Sequence, residues 1–183
     1  MALLDERLCE VIDGEAIPMT PQQLRSSRIA HDLLFSIERL VRERKLGRVW
    51  TETVYALDID PDTNWVEGSL VPDVSFTSQE RLDEQMARYG EEGPLRVAPE
   101  LAIEIVSPTD KFSLSLIKVA RYLDYGVRLV WLIDPQRRVV HVYTSEKPDG
   151  TILHDTGTLT GDPVLPGWSM PITELLDGKP GSE

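Results

Sequence analysis

The sequence predicts a mixed α/β (α+β) fold, a β-sheet flanked by helices, and three observations predict it. Apolar residues from Ile29 to Val41 recur at three- and four-residue steps, the period of a buried helix face. Short strand-like runs alternate along the chain with further helical segments, the arrangement that builds a sheet layered with helices. No repeat, low-complexity segment or linker interrupts them, and 41% hydrophobic with 27% charged residues is ordinary for a folded chain. At 183 residues the expectation is a single domain over 1–183 with a sizeable core.

In chain order, Leu8, Val11 and Ile12 precede the turn-like Asp13-Gly14 and then Ala16 and Ile17, which reads as a short strand pair. Thr20-Pro21 opens the first helix, where Thr caps and Pro is tolerated in the first turn, and Gly47 is expected to end it. Thr53 to Leu57 and Leu70 to Phe76 read as strands, and Arg81 to Tyr89 as a short polar helix. Pro99 to Val106 is a near-continuous apolar strand interrupted by Glu104. Phe112 to Tyr125 is a helix with Gly126 as its C-cap, and its expected buried stripe is Phe112, Leu116, Val119 and Leu123. Strands over Leu129 to Asp134 and Val139 to Tyr143 follow, joined at Pro135-Gln136-Arg137, and a short helix through Ile172 to Leu176 closes the chain.

Composition narrows the function classes. Nineteen Lys and Arg against 31 Asp and Glu give a net charge of −12, which argues against a protein that grips phosphate through a broadly basic surface. A single cysteine, Cys9, allows no internal disulfide and fits a reducing compartment. The early acids Asp5 and Glu6 do not suit a secretory signal, and no apolar run approaches the roughly 20 residues of a membrane helix, so the expectation is a cytoplasmic protein with no membrane contact. His31, His141 and His154 lack metal-ligand spacing, and Asp58 to Asp62 lacks the glycine and closing glutamate of a calcium loop.

Glu104 is the residue that demands a reason. Side chains alternate along a strand, so it shares a face with Ala102 and Val106, where an isolated carboxylate is costly unless a cation or strong donors meet it. Asp73 follows Pro72, and proline favours a strand edge or start, so a second carboxylate stands at an opening of the sheet. Two such acids suit a hard divalent cation. Ser115, Lys118, Tyr122 and Tyr125 share a helical stripe, and a helix folding back after the 107–110 loop brings Lys118 near Glu104. Plainer readings stand beside these. Asp73 could end a strand, Glu104 and Lys118 could form a metal-free ion pair, and Tyr122, Trp131 and Trp168 suit a core or an ordered turn.

The pieces together resemble the Uma2 family of the PD-(D/E)xK nuclease superfamily. They are Glu10-Val11-Ile12-Asp13-Gly14-Glu15, Pro72-Asp73-Val74-Ser75-Phe76, the 99–108 run around Glu104, Lys118 with Tyr122, Gly126-Val127 with Trp131-Leu132-Ile133-Asp134-Pro135, and Leu165-Pro166-Gly167-Trp168-Ser169. The resemblance implies a restriction-endonuclease-like mixed sheet and a Mg²⁺- or Mn²⁺-dependent endonuclease. It implies Asp73, Glu104 and the Ile105 backbone carbonyl as metal ligands, with Lys118 as the catalytic lysine. The superfamily's usual lysine position, two residues after the second acid, is Val106 here, so the resemblance moves that role to the helix. Glu15 and Tyr122 are the further candidates it suggests, and it admits self-association. DNA is the implied partner, bound weakly and without sequence preference through Arg25, Arg28, Lys111, Lys118 and Arg121. Two departures, Ser26 where many members have His and Leu114 where many have Asp, favour a competing reading in which the fold is a catalytically silent interaction or nucleic-acid-binding module.

Overall fold

The computed structural model describes residues 9–12, 14–18, 24–60, 62–63, 66–108 and 111–178. Asp13, Thr20 and Pro21, expected in a turn and a helix start, lie outside them. Strands β1 (Cys9–Ile12) and β2 (Glu15–Pro18) form the expected hairpin. Helix α1 (Leu24–Arg44) buries Ile29, Leu33, Ile37 and Val41, the stripe its periodicity predicts. It ends earlier than expected: Lys45 takes a positive φ of 54°, and Gly47 opens strand β3 (Gly47–Thr51) instead of capping the helix.

Strands β4 (Tyr55–Ile59) and β5 (Val66–Leu70) follow, then β6 (Val74–Ser78) and helix α2 (Gln79–Arg88). The single strand expected over 70–76 is therefore two. Pro72 has no N–H for a ladder, and the chain breaks at Val71–Asp73 as it passes from one sheet into another. Strand β7 (Leu101–Ile105), helix α3 (Phe112–Asp124), strands β8 (Leu129–Asp134) and β9 (Val139–Thr144) fall close to expectation. Strands β10 (Lys147–His154), β11 (Thr158–Thr160) and β12 (Ser169–Pro171) were not foreseen, and α4 (Ile172–Asp177) closes the fold.

A six-stranded sheet runs in the order β10-β9-β8-β7-β6-β3, with β7 and β8 parallel and the other neighbours antiparallel. A four-stranded antiparallel sheet has the order β2-β1-β5-β4, and β11 pairs with β12. Alternation along β7 divides the core in two. Leu101, Ile103 and Ile105 join Trp131, Ile133 and the α1 stripe on one face, with α4 packed against them. Ala102 and Val106 join Val130, Leu132, Val119, Tyr122 and the sheet residues Ile12 and Leu70 on the other. Trp131 is a core residue, stacked on Trp168 at 5.1 Å.

Two local devices fix what matters for the site. Ser78 caps α2 by accepting from the Arg81 amide, and its own amide and hydroxyl both donate to Glu100, at 2.7 and 2.6 Å. That pins Glu100, the residue just before β7 and four before Glu104. At the end of α3, Gly126 adopts φ +82°, while its amide donates to Leu123 O and the Val127 amide donates to Tyr122 O. This double closure is the Schellman arrangement, which a residue without a Cβ enters at little cost, and it sets the end of the helix that carries Lys118 and Tyr122.

Candidate active site

The site forms where the two sheets meet. β5 ends in one sheet and β6 begins in the other, so Asp73, in the break between them, stands at the corner. Its Oδ2 accepts a 2.6 Å hydrogen bond from the Ile105 amide at the end of β7. That contact sets the Asp73 carboxylate against the Glu104–Ile105 peptide, the one before the Ile105 carbonyl that the family resemblance implies as a ligand. The Ile105 side chain itself turns into the α1 core.

Glu104 points to the opposite face and is buried. Both its oxygens are met: Lys118 Nζ donates to Oε2 at 2.7 Å, and the Tyr122 hydroxyl donates to Oε1 at 2.7 Å. Lys118 therefore does not snorkel to solvent; its side chain is 14% exposed. The helix is rotated relative to expectation. Ser115, Val119 and Tyr122 form the buried stripe, and Leu116, placed there by the sequence, is 41% exposed. Burying Lys118 and Tyr122 is tolerable because Glu104 on β7 meets both and Glu10 on β1 meets the lysine as well.

The acid that sequence reasoning missed is Glu10. From β1 its Oε1 accepts from Lys118 Nζ at 2.9 Å and from the Val71 amide at 2.8 Å. Glu15, the acid the resemblance suggested, is exposed at the start of β2 and lies outside this cluster. A signal existed in the strand itself: Glu10 shares a face with Ile12, and both are buried.

Glu10 and Glu104 thus both meet one ammonium, and Asp73 stands close enough for its charge to act on Glu104. Burial pushes the Glu104 carboxyl up to about 8; Lys118 opposes that shift, while the Asp73 and Glu10 charges add to it. Burial works against the charge on Lys118, yet Glu104 and Glu10 overcome it and hold the amine above its ordinary value. Tyr122 is raised well above the usual phenol, first by burial and then by the Glu104 charge, so it stays a donor at neutral pH. With every acid ionised and Lys118 protonated, the cluster would carry two uncompensated negative charges. Among the described residues no three His, Cys, Asp or Glu side chains are already arranged as a metal site. The donor chemistry nevertheless fits a hard divalent cation, since every acid offers oxygen and the surplus charge is that of one such ion.

The cations proposed to grip phosphate are mostly engaged elsewhere. Lys118 lies in the cluster, Arg28 holds Asp32 and the Leu176 carbonyl, and Arg121 reaches Asp124 at 3.4 Å. Arg25 and Lys111 are exposed. Arg137 is tied to Asp134, and Arg138 to Asp155 and Asp177. The hydrogen bond from Tyr122 leads to a direct expectation. Tyr122→Phe leaves Glu104 Oε1 without its donor and lowers stability by about 1.5–3 kcal/mol, read as a reduced urea midpoint with an unchanged slope.

Among solved structures, a protein from Anabaena variabilis described as "a putative nuclease belonging to DUF820" superposes with a TM-score of 0.81 over 94% of this chain and 92% of its own. At 22% identity that likeness establishes a shared fold. No curated protein matches the sequence. The family pattern of Uma2, described as "Putative restriction endonuclease", matches residues 3–173, a span that takes in β1, the β5–β6 corner, β7 and α3. The chain belongs to the Uma2 family.

Proposed function

We propose that the protein is a metal-dependent nuclease that hydrolyses DNA phosphodiester bonds at the Asp73–Glu104–Lys118 cluster. One observation carries the proposal: Glu10 and Glu104 come from separate strands to meet one lysine at the corner of two sheets, with Asp73 near enough to act on Glu104, and burial raises the Glu104 carboxyl to about 8. A purely structural core gains little from such an arrangement, because buried charge costs more than apolar packing of the same volume. Perturbed acids gathered with a cation are characteristic of working sites.

Each residue has a task that its contacts allow. The Ile105 amide holds Asp73, fixing one carboxylate at the mouth of the corner. Tyr122 orients Glu104 through Oε1. Glu104, with its carboxyl near 8, can accept or return a proton close to neutral pH. Lys118 has three N–H donors; Glu104 and Glu10 take two, and the third is left to meet charge developing on a phosphate oxygen. Asp73 and Glu104, with Glu10 beside them, would hold the Mg²⁺ or Mn²⁺. When bound, that ion would supply Lewis-acid polarisation of the phosphate and a lowered pKa for water. Arg25 and Lys111 offer little grip on the backbone, so DNA binding would be weak and salt-sensitive.

A second reading has a specific observation in its favour. Lys118 already fills the space between Glu104 and Glu10, and an ammonium can serve as a permanent counter-ion in a silent scaffold. The two readings separate by incubation of supercoiled plasmid with the protein and Mg²⁺ or Mn²⁺ beside a chelator control, followed by RNA and branched DNA and by calorimetric metal titration. Nicking that requires the metal is the expected result. If plasmid, RNA and branched DNA all stay intact and calorimetry detects no divalent-metal binding, the nuclease reading fails and the silent module stands.

A further inference from the structure

The outer side of α3, turned away from Ser115 and Tyr122, is a surface that the described residues leave uncovered. Ser113, Ile117, Ala120 and Asp124 follow one another at steps of four, three and four residues, the spacing of a helix-packing seam, and all four are exposed. Leu114 and Leu116 flank the seam on its two sides, so three of the exposed large apolar residues lie within four consecutive positions. Helical surfaces facing water normally place charged or polar groups there.

We infer that this face pairs two copies of the chain, α3 against α3, antiparallel about a two-fold axis. The pattern is self-complementary. With the axis midway between Ile117 and Ala120, Ile117 of one copy meets Ala120 of the other, and Ser113 meets Asp124. Ser113 and Ala120 are small enough to let the helices approach closely. The ends complement in charge as well. The first turn of α3 contains no acid, and Lys111 at its N-cap position makes no side-chain capping bond. Antiparallel pairing brings Asp124, with a side chain 65% exposed, to that turn, where a carboxylate favours both the helix N-terminus and the Lys111 ammonium. An isologous contact of this kind closes on itself and stops at the dimer.

The size of the face sets the strength. A 13-residue helix is about 20 Å long, and stable interfaces bury roughly 1,200–2,000 Å² in total, more than one helix pair covers. The dimer is therefore concentration-dependent. It stands on the outer face of α3 alone and holds whether or not the acid cluster cleaves DNA.

Sedimentation velocity over a wide range of protein concentration tests it, using wild type, Ile117→Asp, Lys111→Glu and the double charge swap Lys111→Glu with Asp124→Lys. Wild type is expected to shift from monomer to dimer with concentration, and Ile117→Asp to remain monomeric with an unchanged circular dichroism spectrum. Lys111→Glu sets like charges against each other and weakens association by about tenfold, and the double swap recovers it. The two charge variants alter only exposed side chains, so they decide the matter even if Ile117→Asp disturbs folding. A wild type that stays monomeric throughout overturns the inference and leaves the face to a different protein. A dimer indifferent to all three variants overturns it too, since its contact then lies elsewhere.

Discussion

Glu104→Gln is expected to remove metal-dependent nicking of supercoiled plasmid, lowering the rate by about a hundredfold or more while the protein remains folded. The amide keeps the shape of the carboxylate, and its oxygen still accepts from Lys118 or Tyr122. It carries no negative charge to hold a cation and no proton that can be exchanged near neutral pH. The wild-type carboxyl, raised to about 8 by burial, has both capacities. Loss of activity should come with loss of divalent-metal binding by calorimetry. Thermal stability should hold or rise, because a buried acid whose charge is disfavoured by desolvation has been replaced by a neutral group while Lys118 keeps Glu10 as its partner. A glutamine variant that nicks as fast as wild type would show that Glu104 does no chemistry and exists as the counter-charge of Lys118.

Lys118→Met should have the largest effect on stability. Methionine fills the space of the lysine stem but leaves Glu104 and Glu10 facing each other with no ammonium between them. Breaking a buried ion pair by removing one partner costs about 3–5 kcal/mol, on the order of 10 °C in melting temperature for a chain of this size. The dependence on pH has a definite sign. The Glu104 carboxyl is raised in the folded state, so between the ordinary carboxylate range near 4.3 and about 8 the folded protein binds more protons than the unfolded chain. Its contribution to stability is therefore present at low pH and is lost as pH rises through that window. Lys118, itself raised, supports the fold below the ordinary lysine range and adds no slope between pH 5 and 8. Differential scanning fluorimetry with chelator should give a melting temperature that falls from pH 5 to pH 8 in wild type, and falls more steeply in Lys118→Met. Mg²⁺ should flatten both slopes by favouring the ionised acids. Slopes unchanged by Mg²⁺ would mean that the cluster does not hold the ion.

What the sequence determined was set by period and by position on a strand. The three- and four-residue recurrence in α1 survives folding because one stripe must be buried, whatever the partner. Alternation along β7 placed Glu104 on the α3 face opposite Ile103 and Ile105 before any contact was known. Pro72 marked the β5–β6 corner, although reading 70–76 as one strand concealed that the proline divides two sheets. The glycine after α3 fixed its end, because a positive φ there suits few other residues.

Tertiary structure decided what depends on residues far apart in the chain. The rotation of α3 could not be read from its own pattern, since Leu116 looks more buriable than Lys118. Only the presence of Glu104 on a strand of one sheet and Glu10 on a strand of the other makes it favourable to turn the lysine inward and leave the leucine in water. The same holds for the third acid. Within the 10–15 segment the resemblance pointed to Glu15, and the pairing of β1 with β5 selects Glu10 instead by delivering it to the Val71 amide and Lys118. Local periodicity fixes which faces are buried in isolation. Where a charge can be buried is fixed only when the fold brings its opposite charge within reach.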